Sequence, residues 1–170
     1  KLSPTSPYDV VDEFKNKIKF ILDGRRSKIG LESTIIDLTA NPKILRPGSI
    51  TAEKISKILK RKIKIIKKIK TIKSPGQLKS HYSPGIPVKI NSKISEKNDA
   101  VVGFGKNFKS KKNHFNLSKN GNLNEAANNL YMTLRKIKNK GFKSIVVNKI
   151  PNIGVGLAIN DRLRSEEHTS

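Results

Sequence analysis

Between Ala100 and Val147 the sequence carries a pattern that leaves few folds open. An apolar run, Ala100-Val101-Val102-Gly103-Phe104-Gly105, is followed by an amphipathic segment and then by a second apolar run, Ser144-Ile145-Val146-Val147. In the segment between them Leu123, Ala126, Ala127, Leu130, Leu134 and Ile137 recur at the spacing that lines one face of a helix. Asn122-x-x-Glu125 predicts the helix start as a capping-box variant, and Gly141 predicts its end. Two buried strands joined by such a helix form a βαβ unit, whose strands run parallel. A short strand at Pro87-Val88-Lys89-Ile90 and a short helix around Leu157 to Leu163 extend this unit into a small parallel α/β sheet.

The first sixty residues read differently. Ser6 is placed as an N-cap with Pro7 at the first helical position and Asp9 in the first turn, and Val10, Val11 and Phe14 supply an apolar stripe. Ile18-Lys19-Phe20-Ile21-Leu22 reads as a strand ended by Asp23-Gly24. Two more strands are predicted at 33–38 and at Lys43-Ile44-Leu45-Arg46, the second stopped by Pro47-Gly48. Thr51 caps a short helix with Ile55, Ile58 and Leu59 inward. These elements are too few to close a core alone. They are expected to be the tail of a domain whose front lies upstream.

Charge needs a sober reading. There are 36 Lys and Arg against 13 Asp and Glu, a formal net charge of +23. Yet 29 of the basic residues are Lys and only 7 are Arg, while Asn (16) and Ile (22) are inflated with them. Lys, Asn and Ile share A/T-rich codons, so coding bias explains much of the excess. Arg, whose planar fork suits bidentate phosphate contacts, is the scarce partner. Most of the charge is expected on a solvated surface whose field still attracts polyanions weakly. From Lys54 to Ser95 thirteen residues are basic and none acidic. There KRKIKIIKKIKTIK suits an edge strand or a linker equally, and Ser74-Pro75-Gly76 and Ser83-Pro84-Gly85 bracket QLKSHY as a functional loop or ordered linker. No apolar run approaches a membrane span, and KLSPTSPYD is no signal peptide, so a cytoplasmic protein with no membrane partner is expected. The absence of cysteine excludes disulfides and Cys-ligated metals.

The last seven residues, 164–170 (RSEEHTS), translate AGA TCG GAA GAG CAC ACG TC, the start of a common sequencing adapter. They are expected to be foreign to the protein, a native acidic tail being the alternative, and His168 carries no functional weight.

Most chemistry-like signals have plain explanations. Gly103-x-Gly105 lacks the third glycine of a dinucleotide fingerprint and reads as a tight turn. Gly154-x-Gly156 reads as a turn into the last helix. His114 has no partner at metal-ligand spacing, and Asn116-Leu117-Ser118 matches a glycosylation sequon only formally. No Ser–His–acid set or carboxylate pair stands out, which points to chemistry run by positioning and positive charge.

Three segments rise above that background. Ser3-Pro4-Thr5 precedes a helix N-terminus, a place that suits an anion. Gly30-Leu31-Glu32-Ser33-Thr34-Ile35-Ile36-Asp37-Leu38, with Ile44-Leu45-Arg46-Pro47-Gly48, puts hydroxyls on one strand and an Arg at the end of the next. Ser74-Pro75-Gly76-Gln77 leads to His81-Tyr82-Ser83-Pro84. Read in order, GLESTIIDLT, ILRPGSIT and SPGQLKSHYSP resemble the threonylcarbamoyl-AMP synthases in their long two-domain form. Gly154 to Leu163, ending Asn160-Asp161-Arg162-Leu163, is similar to the end of that family's second domain. The family often has Asp-Gly-Gly where this chain has Asp23-Gly24-Arg25, which leaves the shape of that turn open.

The resemblance implies an α/β fold of three parts. Residues 1–62 would be the C-terminal portion of a YrdC-like catalytic domain, 63–86 a linker with an active-site lid, and 87–163 a small Rossmann-like domain. It implies an enzyme that joins L-threonine, bicarbonate and ATP, with Mg2+, into threonylcarbamoyl-AMP and releases pyrophosphate. The product serves the N6-threonylcarbamoyl modification of adenosine 37 in tRNA. By the same resemblance Thr5, Arg46 and Tyr82 would bind ATP, Ser33 would bind threonine, and His81 would support the lid. No acid–base residue is implied. Each has a structural alternative: a helix cap for Thr5, a strand-end hydrogen bond for Ser33, an ion pair for Arg46, packing for Tyr82. The opposing functional reading is a basic, non-enzymatic RNA-binding module that uses residues 54–95.

Overall fold

The computed structural model describes residues 2–66, 85–92 and 95–167. Ser6 opens α1 (Pro7–Phe14) with a complete capping box: its hydroxyl accepts from the Asp9 amide, and the Asp9 carboxylate accepts from the Ser6 amide. A single 3-10 turn follows at Lys15–Lys17. Residues 18–22, expected as a strand, form none. Phe20 and Leu22 are 89% and 95% exposed, and among the described residues no strand pairs with this segment. Alternating apolar residues report β-propensity, whereas a strand exists only where a ladder partner does. In the next turn Arg25 stands at φ +64°, the left-handed region that glycine enters without cost, and its amide donates to Asp23 Oδ1 at 2.8 Å.

The strands group into two sheets. In the first, β1 (Ile35–Asp37) pairs antiparallel with β2 (Lys43–Arg46). After α2 (Ala52–Ile58), β3 (Lys64–Ile65) pairs parallel with β2. The alternating Lys–Ile stretch, open between edge strand and linker, thus supplies the edge strand. Ile44, Ile55 and Ile63 form a small core there, with Ile36, Leu59 and Ile65 against it.

The second sheet contains β4 (Val88–Ile90), β5 (Asp99–Gly103), β6 (His114–Asn116) and β7 (Ser144–Val147), in the order β4-β7-β5-β6 and all parallel. The expected parallel sheet is present. Every residue of β5 and β7 is buried, which is why both read as unbroken apolar runs rather than alternating ones. The polar residues that open these strands satisfy each other: Ser144 Oγ donates to Asp99 Oδ1 at 2.7 Å. The edge strand β6 is not marked in the sequence, because its single Phe115 stands between His114 and Asn116 and all three residues are only half-buried. His114 lies in it, stacked on Phe108 at 5.0 Å.

The long helix α3 (Leu123–Asn139) and the last helix α4 (Gly156–Glu167) pack on this sheet. Asn122 caps α3 as expected, accepting from the amides of Asn124 and Glu125. The reciprocal half of the box runs through Ser118. Its hydroxyl donates to Glu125 Oε2 at 2.6 Å and accepts from the Asn122 amide at 2.9 Å. Ala126, Ala127, Leu130, Leu134 and Ile137 are buried on the predicted face, in a core with Val102, Ile145 and Ile159. Leu130 is completely inaccessible, so Leu130→Ala should cost about 2–5 kcal/mol of stability. Urea denaturation checks this; a midpoint unchanged from wild type would contradict the packing.

A second side of α3 is covered by the N-terminal segment. Asn128 Nδ2 donates to the carbonyls of Ser27 and Lys28, both at 2.8 Å, and Arg26 donates to the Asn128 carbonyl at 2.7 Å. Gly30, at φ +74°, lets this happen: a Cβ there would lie 2.7 Å from the Asn128 Cα. Leu2 joins the main core, and Arg135 donates to its carbonyl. Residues 67–84, which include the expected lid, lie outside the described residues.

Candidate active site

Two of the residues singled out from sequence meet. β1 and β2 are antiparallel, and Ile35 is opposite Arg46, so the residue two before Ile35 faces the end of β2. Arg46 Nε donates to the Ser33 carbonyl at 3.0 Å and Nη2 to Ser33 Oγ at 3.2 Å. The guanidinium is only 9% exposed. It therefore fixes both the backbone and the hydroxyl of Ser33 while keeping a permanent charge at a strand edge.

Thr5 is engaged at the start of α1. Its amide and hydroxyl donate to Asp9 Oδ2 at 2.7 and 3.0 Å, so it contributes to the α1 cap. Burial opposes ionisation of Asp9, yet the Thr5 bonds and Arg135 together hold its carboxyl below the usual range. Thr5 also lines a cleft of about 220 Å³ with Ser3, Gly30, Glu32 and Tyr131. His81 and Tyr82 lie outside the described residues.

Behind the Ser33–Arg46 pair lies a charged network that sequence reasoning missed. Glu32 Oε2 accepts from Arg162 Nε at 2.6 Å, and the same carboxylate accepts from the Tyr131 hydroxyl at 2.9 and 3.0 Å and from Ser3. Arg162 also donates to Asp161 Oδ2 at 2.7 Å and to the Pro47 carbonyl at 3.1 Å. The available signal was indirect: Glu32 adjoins Ser33, and Asp161-Arg162 sits in the terminal motif.

Burial raises the proton affinity of both carboxylates, with opposite outcomes. For Glu32, desolvation is outweighed by hydrogen bonds from Arg162 and Ser3, so its carboxyl is held below 4.5. For Asp161 desolvation prevails, and its carboxyl is pushed up despite Arg162, Arg164 and Arg46. Glu32 therefore takes up its proton in the unfolded chain first. Its stabilisation is complete above pH 4.5 and is lost as pH falls below that value through the folded one. The gap in Tm between wild type and Glu32→Gln should narrow from about pH 6 to about pH 3. A gap independent of pH would refute this. Other depressed carboxyls, such as Asp37 at about 2, are common to both proteins and cancel.

A separate cavity of about 690 Å³ opens beside β5 and β6, lined by Lys106, Phe108, His114, Lys119 and Lys136 among others. Thr5, Ser33 and Arg46 are not among its lining residues. Among the described residues no group of three or more His, Cys, Asp or Glu side chains could hold a metal, and no helix is long and apolar enough to cross a membrane.

Known proteins resemble this chain in sequence and fold. A family model described as threonylcarbamoyl-AMP synthase, C-terminal domain, matches residues 50–165, and another described as telomere recombination matches residues 1–48. The chain belongs to the threonylcarbamoyl-AMP synthase family. The threonylcarbamoyl-AMP synthase of Pyrococcus abyssi is 34% identical over 96% of this chain and 54% of its own length. That of Bacillus subtilis is 30% identical over 96% and 53%. The crystal structure of P. abyssi Sua5 complexed with L-threonine superposes with a TM-score of 0.83 at 32% identity, over 98% of this chain and 54% of that one. A variant of that protein with a consecutive histidine and tyrosine changed to alanine gives 0.82 at 30% identity. The chain thus spans about half the length of the curated relatives it matches. The boundary between the two family matches, at residues 48–50, falls between β2 and β3, so the first sheet draws strands from both matched regions.

Proposed function

We propose that this chain is part of a longer enzyme that makes threonylcarbamoyl-AMP from L-threonine, bicarbonate and ATP, for the N6-threonylcarbamoyl modification of adenosine 37 in tRNA, and that the isolated piece is inactive. The observation that carries the reading is the Arg46 guanidinium held against the Ser33 hydroxyl at a strand edge, in a chain whose relatives bear that enzyme's name. In the reaction a carboxylate oxygen of threonylcarbamate forms a bond to the α-phosphorus of ATP. The bond from that phosphorus to the bridging oxygen breaks, and pyrophosphate leaves with the electron pair. No proton needs to move in this step. The protein's task is to align two anions and neutralise charge.

In this reading Arg46 pairs with phosphate, Ser33 contacts threonine, and Thr5 meets the nucleotide through a hydroxyl oxygen that can still accept a hydrogen bond. Tyr82 closes over ATP as a lid and His81 holds the lid in shape, on a linker that starts beyond β3 and joins a catalytic portion to a second domain from residue 87. Support comes from the relative whose His–Tyr pair was altered and from the L-threonine in the other crystal structure of that protein. Mg2+ would arrive with the triphosphate, since it commonly binds through substrate phosphates and one or two carboxylates. A cytoplasmic location fits a tRNA-modifying role.

The test is threonine-dependent release of pyrophosphate from ATP by the full-length gene product. Release should require both threonine and bicarbonate. Absence of release, with salt-sensitive RNA binding indifferent to ATP, would instead favour the basic RNA-binding module.

A further inference from the structure

We infer that Arg162, in the last helix, is a positioning residue for the Ser33–Arg46 pair, with Glu32 as its counterpart. This rests on the roles proposed above for Ser33 and Arg46.

The Arg162 side chain is 1% exposed. A guanidinium buried this deeply is costly unless its N–H groups all find acceptors. Those partners lie at telling places. Nε reaches Glu32, the residue immediately before Ser33, and Nη2 reaches the carbonyl of Pro47, the residue immediately after Arg46. One planar fork therefore grips the two chain segments that carry the proposed site, one through the Glu32 carboxylate and the other through the Pro47 carbonyl. The third contact, to Asp161 on the same helix, orients the fork.

Glu32 gathers further support. Tyr131 from α3 and Ser3 from the N-terminal segment donate to the same carboxylate. Three separate parts of the chain thus converge on the residue preceding Ser33. Through Glu32 and Pro47, Arg162 acts on the chain neighbours of Ser33 and Arg46, and Asp161 beside it feels the charge of Arg46.

The two grips are unequal: the charge-assisted bond to Glu32 is 2.6 Å, the bond to the neutral Pro47 carbonyl 3.1 Å. Charge-assisted bonds are the stronger class. Loosening the fork should therefore displace Ser33 more than Arg46, and threonine binding should suffer more than ATP binding.

The experiment compares Arg162→Lys, Arg162→Met and Glu32→Gln in the full-length gene product. Lysine keeps the charge but, lacking the fork, cannot hold both segments. For Arg162→Lys we expect KM for threonine to rise about tenfold, with KM for ATP changed less than about threefold. Arg162→Lys combined with Glu32→Gln should do little more than either alone, because both break one interaction. Hydrogen exchange of the amides from Ser33 to Ile36 supplies a readout that needs no turnover: protection should fall at least about tenfold in Arg162→Lys. Should Arg162→Met fail to fold, the lysine and glutamine variants still decide.

A folded Arg162→Lys protein with unchanged exchange at these amides overturns the inference. So does a KM for threonine equal to wild type, or additive effects in the double variant. If the unaltered protein releases no pyrophosphate, the proposed function fails instead, and hydrogen exchange alone then judges Arg162.

Discussion

Arg46→Ala should lower kcat/KM for threonine-dependent pyrophosphate release by roughly a hundredfold or more in the full-length gene product. The reason is electrostatic. As the carboxylate approaches the α-phosphorus, negative charge concentrates on the phosphoryl oxygens, and a fixed cation at a mostly buried strand edge stabilises that charge better than water does. Arg46 is 9% exposed and preorganised by two hydrogen bonds to Ser33. Its loss removes the cation and releases the hydroxyl proposed to meet threonine, so kcat and the threonine KM should both worsen. Arg46→Lys keeps the charge without the fork and should recover only part of the rate. The assay needs a parallel urea melt, because a loss that merely tracks unfolding would say nothing of chemistry. Turnover within about twofold of wild type in a folded Arg46→Ala protein would remove Arg46 from the site.

The second large effect concerns a residue with no side chain. A Cβ added at Gly48 would lie 2.4 Å from the Thr34 amide nitrogen, 2.7 Å from the Ser33 carbonyl carbon and 2.8 Å from the Glu32 carbonyl oxygen. All three are backbone atoms, which cannot rotate aside as a side chain can. Gly48→Ala must therefore push the 32–34 segment away from β2, opening the contacts that Arg46 and Arg162 make there. We expect a loss of about 1–3 kcal/mol in stability and a fall in kcat/KM of about a hundredfold, the scale on which an ångström of misplacement acts. Gly24→Ala is the control. Nothing lies within 4 Å of its Cβ, and its stability should stay within about 0.5 kcal/mol of wild type. Equal urea midpoints and equal rates for Gly48→Ala and wild type would show that the two strand ends are not packed as described.

Legibility from sequence followed how local each determinant is. The α3 stripe from Leu123 to Ile137 was readable because a helix buried against a sheet must repeat its apolar residues every turn. The caps at Ser6, Thr51 and Asn122 were readable because each uses donors within three residues. Phe20 and Leu22 misled for the converse reason: a strand needs a partner elsewhere in the chain, and alternation cannot report whether one is there. Tyr131 lies in α3 yet was not assigned to the predicted stripe. It is buried because a second surface, the N-terminal segment, covers that side of the helix and presents Glu32 to its hydroxyl.

The candidate site divides along the same line. Ser33, two residues before β1, and Arg46, at the end of β2, are thirteen residues apart, and a short antiparallel connection brings such ends together whatever the rest of the chain does. Their motifs, taken in order, were also enough to suggest the family. Arg162 and Glu32 are 130 residues apart. Nothing in the local pattern of either one distinguishes a surface charge from a buried partner, because the field each feels is set by groups far away along the chain. Local spacing therefore settled the helices, the parallel unit and the Ser33–Arg46 edge. Only the folded chain, by burying an arginine that must find acceptors, decided that α4 holds that edge in place.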